Sequence, residues 1–303
     1  MRNFIEEDFI MRKVALLLAS LGIMAAAYAE QPKLTVTNIG QEIEIENQAG
    51  GADFDDVFFW NFVGLKYDNW TFGFKGAKRW AVNFEHDAEI KSTKSRMMWD
   101  IWHQTTDNLK LGFRYRNETS YDRFTARYDY NNGLLWSAGD FWYQSNNNDS
   151  TVNDNWEMEW FPIGVQYGPL KVGYFMNGWL QTGDLASGGQ ENFLEHQIRA
   201  YLTLYKGEKL TVTTEGRFTL HHSAEFEKTG KADTTYRVYD NFGRTRVYLG
   251  ADYKVNENLN VYGKYGYEFR DFKYEDGTKE QYLAGHMSQE NYQNIIIGWN
   301  YKF

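Results

Sequence analysis

The chain has 303 residues, a formal net charge of −9, 18% aromatic residues, three prolines and no cysteine. The missing thiols exclude a disulfide framework, a cysteine nucleophile and a Cys-ligated metal, and the acidic balance excludes a nucleic-acid footprint. Mean hydropathy is −0.65, and beyond the N-terminus no stretch approaches the roughly 18 apolar residues of a membrane helix, which excludes a helical bundle in the bilayer.

At the N-terminus, Arg12-Lys13 precedes an apolar run from Val14 to Ala27, and Ala27-Tyr28-Ala29 is a small-x-small cleavage site. This pattern predicts a secretory signal peptide over residues 1–29, cleaved before Glu30. Glu6, Glu7 and Asp8 carry the wrong charge for its first segment, so Met11 is the expected true start.

Residues 30–303 read as one domain of two-faced segments about ten residues long. Short connections are expected at Asp68-Asn69, Asp107-Asn108, Asn131-Asn132-Gly133, Gly168-Pro169, Lys206-Gly207-Glu208 and Asn256-Glu257-Asn258. Asn, Asp and Gly suit them because they tolerate positive φ. Long polar connections are expected over Gln48 to Asp55, Gly76 to Ser95, Asn117 to Tyr121, Ser145 to Asp154, Thr182 to Glu191, Ser223 to Thr235 and Asp271 to Gln289. The expected fold is all-β: a transmembrane antiparallel up-and-down β-barrel of about fourteen strands, with short periplasmic turns and long extracellular loops. Both termini then lie at the short-turn end.

Alternation assigns faces. Leu109, Leu111, Phe113 and Tyr115 oppose Lys110, Gly112, Arg114 and Arg116. Phe124, Ala126, Tyr128 and Tyr130 oppose Arg123, Thr125, Arg127 and Asp129. Leu210, Val212, Phe218 and Leu220 oppose Thr211, Thr213, Glu215 and Arg217, while Val247, Leu249, Ala251 and Tyr253 oppose Arg246, Tyr248, Gly250 and Asp252. The apolar sets belong against lipid, because a charge at the bilayer midplane costs about 2–4 kcal/mol. Over 57–65 and 134–143 both faces carry aromatics, and no inward set is assigned. The predicted lumen lining is Glu44, Glu46, Arg114, Arg116, Arg123, Arg127, Glu157, Glu159, Arg199, Glu215, Arg217, Arg246, Lys264 and Glu268, with Glu44, Glu46, Glu157 and Glu159 facing the basic group of Arg114, Arg116, Arg123, Arg127, Arg199, Arg217 and Arg246 across the lumen.

The chain closes with Ile295, Ile297, Trp299, Tyr301 and Phe303 on one strand face. A greasy terminal strand invites aggregation in water and belongs on the lipid face of a closed barrel. A soluble β-sandwich would alternate with its apolar face inward. The signal peptide and the terminal strand decide against it, and predict an outer-membrane location. The ending also resembles the signature read by the barrel-assembly machinery.

Asn38-Ile39-Gly40 with Glu44-Ile45-Glu46-Asn47, Gln197 to Leu202, Arg246 to Tyr253, Asn258-Leu259, Tyr267-Glu268-Phe269 and Asn300 to Phe303 together resemble the outer-membrane protein G family. The resemblance implies a monomeric fourteen-stranded porin that passes oligosaccharides with little selectivity. It places Glu44, Glu46, Arg199 and Arg217 in the pore wall, as parity also does. That family closes at acidic pH through a histidine pair. Phe242 and Phe272 stand at the matching positions here, and neither can gain charge, so that switch is not expected.

No His pair has metal-ligand spacing, and no cofactor or metal is expected. His221-His222 reads as a solvated pair at the loop end of a strand, with the two rings on opposite faces. Glu44/Glu46 and Glu157/Glu159 read as pore wall rather than acid–base pairs. A barrel lipase or protease could use His221 or His286 near Ser223 or Ser288, but no nucleophile motif marks either, and no enzyme is expected. The alternative is a channel specific for acidic oligosaccharides, favoured by the inward cluster of Arg114, Arg116, Arg123 and Arg127. Expected partners are outer-membrane lipid and lipopolysaccharide, small hydrophilic solutes and the barrel-assembly machinery, engaged through Phe303.

Overall fold

A computed structural model describes residues 32–47, 54–83, 89–146, 153–183, 190–227, 234–240, 242–270, 273–275 and 291–303. The signal peptide, Phe272, His286 and Ser288 lie outside them. The described residues form β1 (Thr35–Asn47), β2 (Phe54–Tyr67), β3 (Trp70–Asn83), β4 (Glu89–Thr106), β5 (Leu109–Glu118), β6 (Tyr121–Asn131), β7 (Leu135–Ser145) and β8 (Asn155–Tyr167). They continue with β9 (Leu170–Gln181), β10 (Gln190–Lys206), β11 (Leu210–Glu227), β12 (Thr234–Asp240), β13 (Arg244–Lys254), β14 (Leu259–Arg270), β15 (Lys273–Glu275) and β16 (Tyr292–Lys302).

All pairings are antiparallel, each of β1 to β11 pairs with the next strand in sequence, and β1 closes the ring by pairing with both β2 and β16. β12 lies on the outer end of β11 and β13 on its inner end, so β12 and β13 form one interrupted stave. β15 likewise continues β14. The result is a closed up-and-down barrel of fourteen strands. Closure leaves no edge to template aggregation and pairs the backbone groups that lipid could not satisfy. All six tight connections fall where the sequence places them. Both ends of the ring are tied at that level, with Lys302 N donating to Asn258 O at 2.8 Å and Phe303 N to Thr37 O at 3.2 Å.

Alternation gives the barrel its two surfaces. Leu111, Phe113, Phe124, Val247, Leu249, Ile297 and Phe303 are exposed on the outer face. The inner face carries the charges, several of which reach over an intervening strand, as Lys75 on β3 does to Glu42 on β1 at 2.9 Å. Curvature brings such side chains together on the concave side.

Four expected connections change. Residues 76–95 are largely the paired ends of β3 and β4, not a loop. Residues 117–121 hold only the turn Thr119-Ser120 between β5 and β6. Of 223–235, the ends belong to β11 and β12, and 271–289 contains β15. The reason is shared. A strand that leaves the bilayer is wetted on both faces, so alternation stops while hydrogen bonding continues. Lys78 on the outer face, donating to Ser95 Oγ at 3.4 Å, marks that exit.

Two of the irregularities in the wall involve single residues. Pro162 sits where the β8 register slips between Trp160 and Ile163, a bulge that tolerates its missing N–H. Phe242, between β12 and β13, has φ 66°. It is exposed on the outer face and packs edge-on against Phe218 at 6.2 Å. Phe242 is thus a lipid-side aromatic.

The luminal wall as candidate functional site

The two segments with aromatics on both faces supply part of the inner wall. Phe58 and Trp60 on β2, and Trp136 and Trp142 on β7, are buried there. Glycines make room for Trp136 and for two further inner-wall rings, Trp102 and Tyr248. A Cβ added at Gly112 would strike Trp102, one at Gly266 Tyr248, and one at Gly164 Trp136. Those three rings rest over glycine, and the luminal side of the wall's rings takes cations. Lys75 sits 4.5 Å from the Trp60 ring, Arg96 4.4 Å from Phe58, Arg123 4.5 Å from Trp142, Arg127 4.6 Å from Trp102 and Lys171 3.9 Å from Trp136. Such contacts contribute about 0.5–2 kcal/mol. They hold long side chains upright without neutralising them.

Ion pairs run along the wall. Arg114 Nε donates to Asp100 at 2.8 Å, and Arg127 joins Asp100 and Asp140. Arg123 donates to Gln144 at 2.7 Å and lies 3.8 Å from Glu157. Arg116 lies 3.6 Å from Glu118. Arg199 Nε donates to Gln197 Oε1 at 2.7 Å. Glu215 accepts from Arg217 at 2.6 Å and from Lys264 at 2.7 Å. Glu268 gathers Arg246 at 2.5 Å, Arg270 at 2.6 Å and Arg244 at 3.3 Å. Glu44 accepts from Trp60 Nε1 and Glu46 from the Tyr292 hydroxyl. Glu159, opposite Asp140 in register, is exposed on the inner face. The expected arrangement, acids on one wall facing bases across the lumen, is therefore corrected: most charges meet partners on their own strand or one or two strands away. A carboxylate on the next strand is within reach of a short side chain, whereas a diameter is not.

Sequence reasoning missed Glu42, Asp100, Glu118, Asp140, Glu195 and Arg244. Glu42 shares parity with Glu44 and was open to the same argument. Asp140 was hidden because Trp136 and Trp142 mask the alternation around it. The histidine pair also changes. A register slip in β11 beyond Thr219 places His221 opposite His196, whose Nδ1 is 2.5 Å from the outer-face Tyr174 hydroxyl. His222 pairs with Glu195 and is 3% exposed, so it is a buried inner residue, not a solvated one.

At the loop end, Asp154 fastens the connection after β7. It accepts from the Tyr143 hydroxyl and from Asn146 N at 2.8 Å, while its own carbonyl accepts from Thr182 Oγ1 at 2.7 Å. The Tyr143 hydrogen bond, then the Asn146 amide, holds the carboxyl below its ordinary value. Among the described residues, no group of three or more His, Asp or Glu side chains is placed to hold a metal ion.

No family model and no curated protein matches the chain. Among solved structures, a bacterial polysaccharide outer membrane secretin superimposes with a TM-score of 0.51 at 11% identity, over 88% of this chain and 98% of that one. OmpT, an outer membrane protein of Vibrio cholerae, gives 0.44 at 13% identity over 92% and 100%. OccAB3 of Acinetobacter baumannii gives 0.44 at 9% identity over 88% and 99%. The likeness is one of fold, that of the outer-membrane β-barrel.

Proposed function

We propose that the chain is a channel of a bacterial outer membrane, a water-filled pore for passive diffusion of ions and small hydrophilic solutes, mono- and oligosaccharides among them. The observation that carries this reading is the division of surfaces. Exposed apolar residues clothe the outside of a closed fourteen-strand ring, and ionised groups clothe the inside. Intramembrane charge is costly unless it meets water or a partner. Barrels of this strand number enclose more space than side chains can fill.

The lining then includes Glu44, Glu46, Arg114, Arg116, Arg123, Arg127, Glu157, Glu159, Arg199, Glu215, Arg217, Arg246, Lys264 and Glu268. Phe303 is the residue offered to the assembly machinery, the short turns face the periplasm, and the role is transport, not catalysis. The motifs resembling the outer-membrane protein G family support a monomer. Purified protein added to a planar bilayer should give steady current steps of one size. An absence of conductance from correctly folded protein would refute the proposal.

A further inference from the structure

Arg199, Arg217 and Arg246 occupy directly opposed register positions on β10, β11 and β13. Arg116 stands directly opposite Arg123 on β5 and β6. Like charges in direct cross-strand opposition destabilise a sheet. These two rungs, beside the opposed pair Arg244 and Arg270 that shares Glu268, break a local rule, and proteins keep such breaks chiefly at functional sites.

The rungs are built to persist. Each guanidinium sits over an aromatic ring: Arg199 at 3.2 Å from Phe175, Arg246 at 4.3 Å from Tyr292, Arg217 at 5.0 Å from Tyr248, Arg123 at 4.5 Å from Trp142 and Arg116 at 5.4 Å from Tyr121. Carboxylates flank Arg217, Arg246 and Arg116, but the closest hydrogen-bond acceptors of Arg199 and Arg123 are the neutral amides Gln197 and Gln144. The Arg116 Nε has no hydrogen-bond partner among the described residues. Charge is thus held in place and left incompletely neutralised.

The rungs also stand at one height. Arg116 follows the start of β5 at Leu109 by the same number of residues as Arg217 follows the start of β11 at Leu210. Three staves, β7 to β9, separate the two groups on one side of the ring and six on the other, so they look at each other across the lumen.

Building on the channel reading above, we infer that the two arginine rungs together bind an elongated hydrophilic solute bearing several oxyanion groups, such as an oligosaccharide with carboxylate or sulfate substituents. Guanidinium presents paired N–H donors that match carboxylate, sulfate and phosphate. The supporting rings Phe175, Tyr248, Tyr292 and Trp142 are buried beneath their cations, so they offer no open face for a sugar ring to stack on. Recognition is by charge and spacing, and neutral sugars pass without dwelling.

The test is single-channel recording of wild-type protein at moderate salt with three probes: a hexauronate, inorganic tripolyphosphate and maltohexaose. Both polyanions should cause transient blocks whose duration falls as salt rises, and maltohexaose at equal concentration should cause none. Arg123→Gln and Arg199→Gln should each shorten the polyanion blocks about tenfold, the loss of one charged hydrogen-bonding partner. Arg123→Lys, which keeps the charge but not the fork, should fall between. Blocks by the hexauronate alone would assign the site to the saccharide instead of to its charges and overturn the inference as stated. So would equal blocking by maltohexaose, an open channel with no polyanion block, or blocks unchanged in both Gln variants. An absence of any conductance would instead refute the channel itself.

Discussion

Trp136 shows what a single residue does in this wall. Its ring is buried on the inner face, lies over Gly164 and Gly173, and carries the Lys171 ammonium 3.9 Å from its centroid. Its Nε1 donates to Val165 O at 3.3 Å. Neither glycine is needed for an unusual φ; what each supplies is room, because a Cβ would enter the ring. Gly164→Ala should therefore push Trp136 off the wall and destabilise the barrel by about 1–3 kcal/mol, the usual cost of overpacking. Urea unfolding from lipid vesicles would measure it. Gly133→Ala, at a turn with nothing near its added Cβ but with φ 94°, should cost through backbone strain alone and leave tryptophan fluorescence unchanged. Asp154 acts at the same scale outside the bilayer. Its carboxyl is depressed in the folded state, so its contribution is present above the unfolded value of about 3.9 and is lost only as pH falls through the lower folded value. A carbon-detected NMR titration should place its midpoint below 3.9, and Tyr143→Phe should raise it. A wild-type midpoint at or above the ordinary value would contradict the geometry.

Among the strands, length separates wall from rim. A spanning strand needs about 9–11 residues, close to the 10 of β5 and the 11 of β6. β4 and β11 have 18 each and β10 has 17, so their outer ends continue into water as paired ribbon. The same distinction of environments sets the price of a charge on either face of one strand pair. Leu249 on β13 is exposed on the lipid side, and Thr213 on β11 lies on the inner face beside Gly250. Leu249→Arg should destabilise the barrel by about 2–4 kcal/mol if it lies near the midplane. Thr213→Arg should cost far less and should alter ion selectivity instead. Urea midpoints and reversal potentials of the two variants, read together, test the facing of both strands.

For the molecule as a whole, closure turns a strip of two-faced strands into an outside and an inside. Because the chain has no native cysteine, cysteines at Arg217 and Leu249 give a clean contrast: a water-soluble thiol reagent should label the first and reduce current, and spare the second. Much of this was legible in the sequence. The six short turns could be placed because Asn, Asp and Gly solve a local backbone problem. The faces of β5, β6, β11 and β13 could be assigned because lipid and water impose a period of two on each strand separately. The terminal strand could be recognised because an aromatic face ending in Phe303 has few other uses. What the sequence could not settle depends on neighbours. Strand ends beyond the bilayer lose the alternation that announces them, so the facing ends of β3 and β4 looked like a loop. Phe58, Trp60, Trp136 and Trp142 looked misplaced until strand pairing put glycines beneath Trp136 and cations above all four. The slip in β11 that turns His222 rather than His221 inward and the alignment of Arg199, Arg217 and Arg246 into one rung are matters of register. Register is fixed by the pairing of whole strands and by the bulges between them, and only the tertiary structure decides it.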